Sequence, residues 1–359
     1  MQKAAVIMAG GGGTRFWPVS RMSSPKQLVR LTGDDVMINE TIKHYDHVIG
    51  RENTFIVTNE KQAELMDKVL FDEVARDHIL IEPVQRNTAP CIIYAAMTLK
   101  KLYGDAVMAV LPADHHIGNV KEYERILSLA MKTAEDTGRI VTVGIKPTFP
   151  STGYGYIKFE DKGEEVCVLQ KFVEKPDLAT ATGYVNSGEY LWNSGMFIWK
   201  VSVILDYFKE LLPDMYSSME KIFDDLRTDN EKSAIAGTYP GLQKISVDYG
   251  IMEKAEGVFV IPADFGWNDV GSWDSLDNVF DRDADGNIAS APAGNYRFEG
   301  CKDTVIFDTA EDKFIAAVGL DNTVIVQTKD AFLVLNKDNA QDVKKIVDAL
   351  TEQGRGELL

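Results

Sequence analysis

A segment near the start of the chain combines residue types that bind phosphate groups. It reads MAGGGGTRFWPVSRMSSPKQ and follows an apolar run. Its consecutive glycines remove every side chain from one turn, so backbone N–H groups can point into a concavity and bind phosphate oxygens. Thr14 adds a hydroxyl and Arg15 a bidentate cation. We therefore predict that Gly10, Gly11 and Gly13, with these two side chains, hold a nucleoside triphosphate.

The charge of this segment contrasts with that of the whole chain. The formal net charge is -17, yet no acidic residue precedes Asp34. The basic residues before it are Lys3, Arg15, Arg21, Lys26 and Arg30. Because an acidic protein repels a polyphosphate, this stretch indicates locally focused positive potential, and we assign Lys26 as well as Arg15 to the phosphates. A solvated basic loop is the alternative.

Two common glycine motifs do not fit the segment. A Walker loop needs its lysine directly after the last glycine, whereas Lys26 follows a proline well downstream of Gly13. A dinucleotide fingerprint would need a third glycine where Arg15 or Phe16 stands. The sequence therefore argues against a P-loop ATPase and leaves a dehydrogenase as a minor alternative.

Two aspartates are candidate ligands for Mg²⁺, the cofactor that we predict. Asp114 ends the apolar run AVMAVLPAD, and Asp269 lies between tryptophans in FGWNDVGSW. Magnesium is usually held by one or two carboxylates while it also binds phosphates. A capping role for Asp114 and an Asx turn at Asp269 are the alternatives.

The segment EPVQRNTAP is a second candidate for the nucleotide side. Asn87 or Thr88 is suited to cap the helix that follows, so backbone donors there could face the nucleotide. Capping alone would also explain both residues. Glu82 could accept hydrogen bonds from a guanine edge, although no spacing rule fixes the base, and we place Arg86 with the same group.

The segments TGYGYIKF, FVEKP and WNSG carry candidates for a second, phosphorylated substrate. Lys175 is presented at a strand end by the proline that follows, so its ammonium could bind a sugar phosphate. Glu174 and Asn193 could bond sugar hydroxyls, and we place Gly155 with them. An exposed charged pair and a turn are the alternatives.

These residues predict phosphate chemistry without an enzyme nucleophile. A sugar 1-phosphate is mostly dianionic near neutral pH, with a second pKa of about 6, so it needs no general base. The obstacle is repulsion between two anions, which in-line positioning and cations overcome as pyrophosphate leaves. The sequence accordingly shows no convincing Ser-His-Asp or Cys-His arrangement.

The elements that must position these residues alternate between strands and helices in the first half of the chain. Apolar strands are predicted at 3–9, 54–59, 78–83, 106–114 and 140–145. Amphipathic helices are predicted at 60–70, 88–102 and 121–137. This pattern is typical of an α/β fold with a mostly parallel sheet, in which ligands bind at the carboxyl ends of strands. The glycine segment, Glu82 and Asp114 all fall at such ends.

The rest of the chain has a different pattern of predicted elements. Strand-and-turn pieces with inserted helices cover roughly 153–273, and short β-rich runs then recur at TVIF, FIAAV, TVIVQ and AFLVL before a helix at 340–350. We predict two domains, 1–286 and 287–359, because 359 residues exceed one typical domain. The second domain would serve structure or assembly.

Composition narrows the function classes. The acidic balance disfavours nucleic acid as a partner, and no apolar run reaches membrane-spanning length or forms a signal-peptide core. We therefore expect a cytoplasmic protein without membrane or nucleic-acid partners. Cys91, Cys167 and Cys301 are widely separated, which favours reduced thiols.

Taken together, these motifs resemble the mannose-1-phosphate guanylyltransferases, or GDP-mannose pyrophosphorylases, of the sugar-nucleotidyltransferase superfamily. The resemblance covers nearly the whole chain and includes GGGGTRFWPVSRMSSPKQ, EPVQRNTAP, LPADH, FVEKP, WNSGMF and FGWNDVGSW. It implies a Rossmann-like nucleotidyltransferase domain followed by a small β-helix-like module used in dimerisation. Longer relatives carry an additional isomerase domain, and the chain ends at Leu359, so isomerase activity is not expected.

The resemblance implies transfer of GMP from GTP to mannose 1-phosphate without a covalent intermediate. It assigns Arg15 and Lys26 to the triphosphate, Asp114 and Asp269 to magnesium, Lys175 to the sugar phosphate, and Glu174 and Asn193 to mannose. Two alternatives stay open. One is a nucleotidyltransferase for another sugar or base, and the other is a non-catalytic nucleotide-sugar sensor.

Overall fold

The computed structural model describes residues 1–359. Its strands are β1 Gln2–Met8, β2 Thr54–Thr58, β3 Ile79–Ile81, β4 Ala106–Pro112, β5 His116–Ile117, β6 Val141–Ile145, β7 Tyr156–Phe159, β8 Cys167–Val173, β9 Tyr190–Lys200, β10 Phe259–Ala263, β11 Trp267–Asn268, β12 Ile288–Ser290, β13 Tyr296–Glu299, β14 Val305–Asp308, β15 Ile315–Val318, β16 Thr323–Gln327 and β17 Phe332–Asn336. Its α-helices are α1 Met37–Lys43, α2 Glu60–Met66, α3 Thr88–Tyr103, α4 Val120–Thr137, α5 Leu178–Ser187, α6 Val201–Leu211, α7 Pro213–Glu220, α8 Glu231–Thr238 and α9 Val343–Glu352.

Internal contacts divide the chain into two compact units, each with its own buried apolar cluster. The first unit comprises Met1–Gly10, Thr41–Ala113 and Asn119–Trp267. The second unit comprises Gly11–Glu40, Asp114–Gly118 and Asn268–Leu359.

A nine-stranded sheet forms the centre of the first unit, in the order β3-β2-β1-β4-β9-β6-β10-β8-β7. β1 pairs in parallel with β2 and β4, and β2 pairs in parallel with β3. These strands are near-continuous apolar runs because helices cover both faces of a parallel sheet. The α/β fold and the strand–helix alternation predicted from the sequence are confirmed.

The antiparallel pairs of this sheet come from later strands. β9 runs antiparallel between β4 and β6, and β7 pairs antiparallel with both β8 and β9. The mixed part of the sheet therefore begins with β7, in the region where the sequence predicts strand-and-turn pieces. It carries Gly155, Glu174 and Asn193 at or beside its strands.

Short strands of the second unit form the predicted β-rich module. β14 pairs in parallel with β12 and β16, β17 closes this sheet antiparallel, and β13 pairs in parallel with β15. The glycine segment shares the core of this unit, because the Phe16 and Trp273 rings meet edge to face with centroids 5.0 Å apart. The Trp273 indole N–H also donates to the carbonyl oxygen of Trp17 over 3.1 Å.

Two further expectations can be compared with the structure. None of the helices is both long enough and apolar enough to cross a membrane. Cys91, Cys167 and Cys301 are buried free thiols, as their spacing predicts. Burial raises the pKa of the Cys91 thiol, so this side chain stays neutral and packs as a small apolar residue.

Candidate functional site

A buried lysine contacts both predicted metal ligands within the second unit. The Lys26 ammonium lies 2.7 Å from Asp114 Oδ2 and 3.2 Å from the Asp114 carbonyl oxygen. It also donates to the Asp269 carbonyl oxygen over 3.1 Å. One positive charge therefore joins its own segment to two distant ones. We call Lys26, Asp114 and Asp269 the phosphate-side cluster.

The glycine segment leaves room for this lysine. Gly13 has a φ of 63°, a left-handed conformation that favours glycine. A Cβ atom at Gly13 would also collide with the Cβ of Lys26. Gly11 is exposed, and the Thr14 and Arg15 side chains are exposed on the short 3-10 turn that follows. Gly13 thus fixes the end of the turn next to Lys26, and the glycines just before it are exposed.

The electrostatics of Asp114 follow from its neighbours. Burial favours the neutral carboxyl, but the Lys26 ammonium and His115 outweigh burial and hold the pKa of Asp114 below its ordinary value. Burial in turn lowers the pKa of His115, so at neutral pH the Lys26 ammonium is the cation beside Asp114. Asp114 therefore stays ionised at neutral pH.

The backbone around Asp269 is tightly held. Asn268 Oδ1 accepts a hydrogen bond from the Val270 N–H over 2.7 Å, so the Asx-type bond comes from the preceding residue. Val270 has a φ of 47°, which is strained for a β-branched residue. Its side chain is fully buried in the apolar cluster that includes Trp273. Packing therefore sustains the strain and fixes the backbone next to Asp269.

In the first unit, two predicted nucleotide-side residues meet at the ends of parallel strands. Gly10 follows β1, and Glu82 directly follows β3, where its N–H donates to the Thr58 carbonyl oxygen over 2.8 Å. A Cβ atom at Gly10 would lie only 2.6 Å from Glu82 Oε1. Burial raises the pKa of Glu82, although a hydrogen bond from Tyr239 opposes the shift.

The residues after Glu82 are fixed by one neighbouring segment. The Arg86 guanidinium donates to the Pro240 carbonyl oxygen. Asn87 stands at the N-cap of α3 with a φ of 66°, but its side chain makes no capping hydrogen bond. The Thr88 hydroxyl instead accepts from the Val247 N–H over 2.8 Å. The helix begins where the sequence predicts, and the hydrogen bond to its first residue comes from a distant segment of the chain. Gly10, Glu82, Arg86, Asn87 and Thr88 form the base-side cluster.

The predicted sugar-side residues also come together in the first unit. The Asn193 N–H donates to the Gly155 carbonyl oxygen over 2.8 Å. A Cβ atom at Gly155 would collide with Glu174 Oε2, so only glycine leaves room for this carboxylate. Lys175 has a φ of 44° and its ammonium lies 3.2 Å from Glu174 Oε1. Lys175, which we predict to bind the sugar phosphate, thus has a strained backbone conformation of the kind that clusters at functional sites.

Sequence reasoning missed one member of this group, Asp248. The Asn193 side-chain amide donates to Asp248 Oδ1 over 3.1 Å. Asp248 opens a π-helical turn, Asp248–Met252, a rare element that often marks functional sites. Burial and the nearby Glu174 carboxylate raise the pKa of Asp248 to about 6. An acid inside the apolar stretch ISVDYGIM was the available signal. Gly155, Glu174, Lys175, Asn193 and Asp248 form the sugar-side cluster.

A further group of possible metal ligands lies elsewhere in the first unit. Ligand atoms of Asp46, His47 and Glu124 all fall within 4.8 Å of one another. Asp46 already pairs with Arg51 at 2.8 Å, and the His47 side chain is exposed. This group has the character of a surface ion-pair network, and it includes none of the predicted metal ligands.

Comparison with known proteins defines the class. Residues 4–286 match the family described as Nucleotidyl transferase, and residues 301–350 match the MannoseP isomerase/GMP-like beta-helix domain. The chain belongs to the nucleotidyl transferase family. The predicted nucleotidyltransferase fold and the β-helix-like module are both confirmed.

Individual relatives are similar over almost the whole chain. The Xanthan biosynthesis protein XanB of Xanthomonas campestris is 39% identical over 98% of this chain and 74% of its own length. The mannose-1-phosphate guanylyltransferase RfbM of Salmonella typhimurium is 40% identical over 98% of this chain and 73% of its own. A crystal structure described as mannose-1-phosphate geranyltransferase from Thermus thermophilus superposes with a TM-score of 0.87 at 31% identity, covering 98% of this chain and all of that one. The resemblance to mannose-1-phosphate guanylyltransferases is confirmed.

Proposed function

We propose that the protein transfers GMP from GTP to α-D-mannose 1-phosphate and so forms GDP-mannose and pyrophosphate. The observation that carries the chemistry is the Lys26 ammonium, which contacts both Asp114 and Asp269. A nucleotidyltransferase needs such a combination of cation and carboxylates where polyphosphate charge must be neutralised. The choice of substrates is supported by the relative named mannose-1-phosphate guanylyltransferase.

We assign the triphosphate to the glycine segment and its cations. Backbone N–H groups of Gly10, Gly11 and Gly13 would bind phosphate oxygens. The exposed Arg15 guanidinium and the Thr14 hydroxyl would add hydrogen bonds. The base-side cluster would hold guanosine, with Glu82 accepting hydrogen bonds from guanine.

Asp114 and Asp269 fit a divalent metal ion, which we propose to be Mg²⁺. Lys26 binds the Asp114 carboxylate and the main-chain carbonyl oxygen of Asp269, and Asp114 stays ionised at neutral pH. The Asp269 carboxylate is close enough to act on the charge of His115, the residue next to Asp114. Carboxylate oxygens are the ligands that Mg²⁺ prefers. When bound, the ion would neutralise charge on the transferring and leaving phosphate oxygens.

We assign mannose 1-phosphate to the sugar-side cluster. The exposed Lys175 ammonium would bind the phosphate, and Glu174, Asn193 and Asp248 would bond the sugar hydroxyls. No residue needs to remove a proton, because a phosphate dianion is already nucleophilic. The sugar phosphate oxygen attacks the α-phosphorus in line, the bond to pyrophosphate breaks, and no bond to the enzyme forms.

A substrate panel tests this proposal. Pyrophosphate release should be fastest with GTP and mannose 1-phosphate among GTP, ATP, UTP and dTTP, each combined with mannose 1-phosphate and glucose 1-phosphate. Faster turnover with UTP or dTTP would replace the guanylyl assignment by another sugar nucleotidyltransferase. Binding of GDP-mannose without turnover of any pair would indicate a sensor.

We also propose the domain division at residues 286 and 287 and a homodimer formed through the second domain. Large apolar side chains are exposed on this module, among them Val318 at 70%, Val334 at 65% and Phe332 at 55%. Exposed apolar area of this kind is commonly covered in an assembly. Light scattering of the purified protein distinguishes a dimer from a monomer.

A further inference from the structure

The Glu82 carboxylate is held by a tyrosine far along the chain. The Tyr239 hydroxyl donates to Glu82 Oε2 over 2.8 Å. Tyr239 is fully buried, and Glu82 is only 6% exposed, so water competes little for this hydrogen bond. A hydrogen bond to a carboxylate in such surroundings is strong and fixes the orientation of the acid.

The orientation that Tyr239 imposes separates the two carboxylate oxygens. Oε2 is engaged by the hydroxyl, while Oε1 points to the end of β1, 2.6 Å from where a Cβ atom of Gly10 would lie. Gly10 is the first glycine of the predicted nucleotide-binding segment. The oxygen that remains available for a ligand is therefore directed toward that segment.

Without this hydrogen bond the carboxylate has space to turn. Glu82 also lines a cavity of about 820 Å³ that runs along the edge strand β3. Charged side chains of both signs line the same cavity, so a released carboxylate could turn into polar surroundings there. The hydroxyl is thus the element that keeps Oε1 directed toward Gly10.

The neighbour of Tyr239 in the chain holds a second base-side residue. The Pro240 carbonyl oxygen accepts a hydrogen bond from the Arg86 guanidinium. Both contacts come from one short 3-10 turn, Tyr239–Gly241. This turn therefore fixes the segment from Glu82 to Arg86 at both of its ends.

We propose that Tyr239 is a positioning residue for nucleotide choice, which holds Glu82 so that Oε1 meets the Watson–Crick edge of the purine and favours guanine over adenine. This inference rests on the proposed function. Guanine offers its N1–H and 2-amino donors at that edge, whereas adenine has the N1 acceptor and a C2–H group at the same two positions and carries its donor only at the 6-amino group. A fixed carboxylate oxygen bonds the first and repels the second, and a mobile one discriminates less well.

The test is Tyr239→Phe, which removes one oxygen and keeps the ring. We expect the ratio of kcat/KM for GTP to that for ATP to fall about tenfold, since a buried hydrogen bond to a charged group is lost. The loss should lie in KM for GTP, with kcat at saturating GTP and KM for mannose 1-phosphate within about twofold of wild type.

Tyr94→Phe is the matched control. Tyr94 is also buried, its ring packs edge to face on Tyr239, and its hydroxyl donates to Glu231 over 2.7 Å. Both variants should lose similar thermal stability, but only Tyr239→Phe should change the nucleotide ratio. In a Glu82→Ala background, Tyr239→Phe should have no further effect on that ratio, because it acts through Glu82.

Two results would overturn the inference. One is an unchanged GTP to ATP ratio in Tyr239→Phe, and the other is an equal effect of Tyr239→Phe with and without Glu82. If the phenylalanine variant does not fold, 4-aminophenylalanine at position 239 keeps a weaker donor and should lower the ratio about threefold; an unchanged ratio then has the same meaning. A wild-type enzyme that does not prefer GTP would instead refute the proposed base choice.

Discussion

The phosphate-side and sugar-side clusters each combine a lysine with acidic side chains, but the pKa of the aspartate is lowered in the first and raised in the second. In the phosphate-side cluster, Lys26 is only 6% exposed and its ammonium touches the carboxylate of Asp114, whose pKa is lowered. In the sugar-side cluster, the Lys175 side chain is 60% exposed and pairs with Glu174. Burial and the neighbouring Glu174 carboxylate raise the pKa of Asp248 to about 6.

The difference shows that a buried aspartate keeps its charge where a cation contacts it directly, as Lys26 contacts Asp114, and tends to hold its proton where the lysine pairs with another acid. A buried lysine strongly stabilises the charge of an adjacent carboxylate. Around an exposed lysine, water screens most of the attraction between the two charges. The phosphate-side cluster therefore carries fixed charges at neutral pH. In the sugar-side cluster, the Asp248 carboxyl loses its proton near pH 6.

The largest expected effect comes from removal of the buried cation. Lys26→Ala should slow pyrophosphate release at saturating substrates about 1000-fold, because the lost charge would act on the transition state. The variant should also lose about 2 kcal/mol of stability, since it leaves a partly exposed carboxylate unpaired. A pyrophosphate-release assay measures the rate, and denaturant unfolding measures the free energy of unfolding.

A second buried lysine in the same unit separates stability from catalysis. The Lys337 ammonium lies 2.6 Å from Asp277, and Lys337 is as well buried as Lys26. Lys337→Ala should therefore destabilise the protein comparably and leave turnover near the wild-type rate. Turnover of Lys26→Ala at the wild-type rate would remove Lys26 from the catalytic group and break the comparison.

A smaller effect is expected from crowding the sugar-side cluster. In Gly155→Ala, the added methyl group would displace the Glu174 carboxylate, and KM for mannose 1-phosphate should rise about tenfold while KM for GTP stays unchanged. Gly153→Ala is the control, because its Cβ atom would lie 3.6 Å from Ser151 Oγ, an ordinary contact. Steady-state kinetics with each substrate varied in turn decide between selective and general loss.

The smallest effect concerns the proton on Asp248. Its folded pKa of about 6 exceeds the ordinary value of 3.8, so the folded state holds this proton more tightly and loses stability as pH rises from about 4 through 6. Asp248→Asn should therefore stabilise the protein by about 1 kcal/mol at pH 7.5 and hardly at all at pH 4. Denaturant unfolding of both proteins at the two pH values measures the difference.

Glu174→Gln sharpens this last test. Removal of the neighbouring negative charge should lower the pKa of Asp248, so that Asp248→Asn brings less stability at pH 7.5 in the Glu174→Gln background. An Asp248→Asn variant that is equally destabilised at both pH values would show that Asp248 is ionised throughout. The contrast between the two clusters would then be lost.

Local patterns were sufficient for the elements that carry most site residues. Near-continuous apolar runs predicted β1 to β4 and β6, and α3 and α4 lie close to their predicted positions. Each of these signals arises within a few residues, because strand and helix periodicities are local. Strand ends could likewise be read from the sequence, which drew attention to Glu82 and Asp114.

The partners of those residues could not be read in the same way. Tyr239 lies 157 residues from Glu82, and Asp248 lies 55 residues from Asn193, so no spacing rule connects them. Asp248 lies on a π-helical turn, and the cation that contacts Asp114 and Asp269 is buried rather than solvated. Such contacts depend on how distant segments pack.

The sequence by itself determined the class of fold, the order of its elements and which residue types were available for binding phosphates, metal and sugar. Only the tertiary structure decided which of these groups are ionised and how they are oriented. The physical reason is that backbone preferences act over a few residues, whereas desolvation and charge pairing depend on atoms that the chain brings together from far apart.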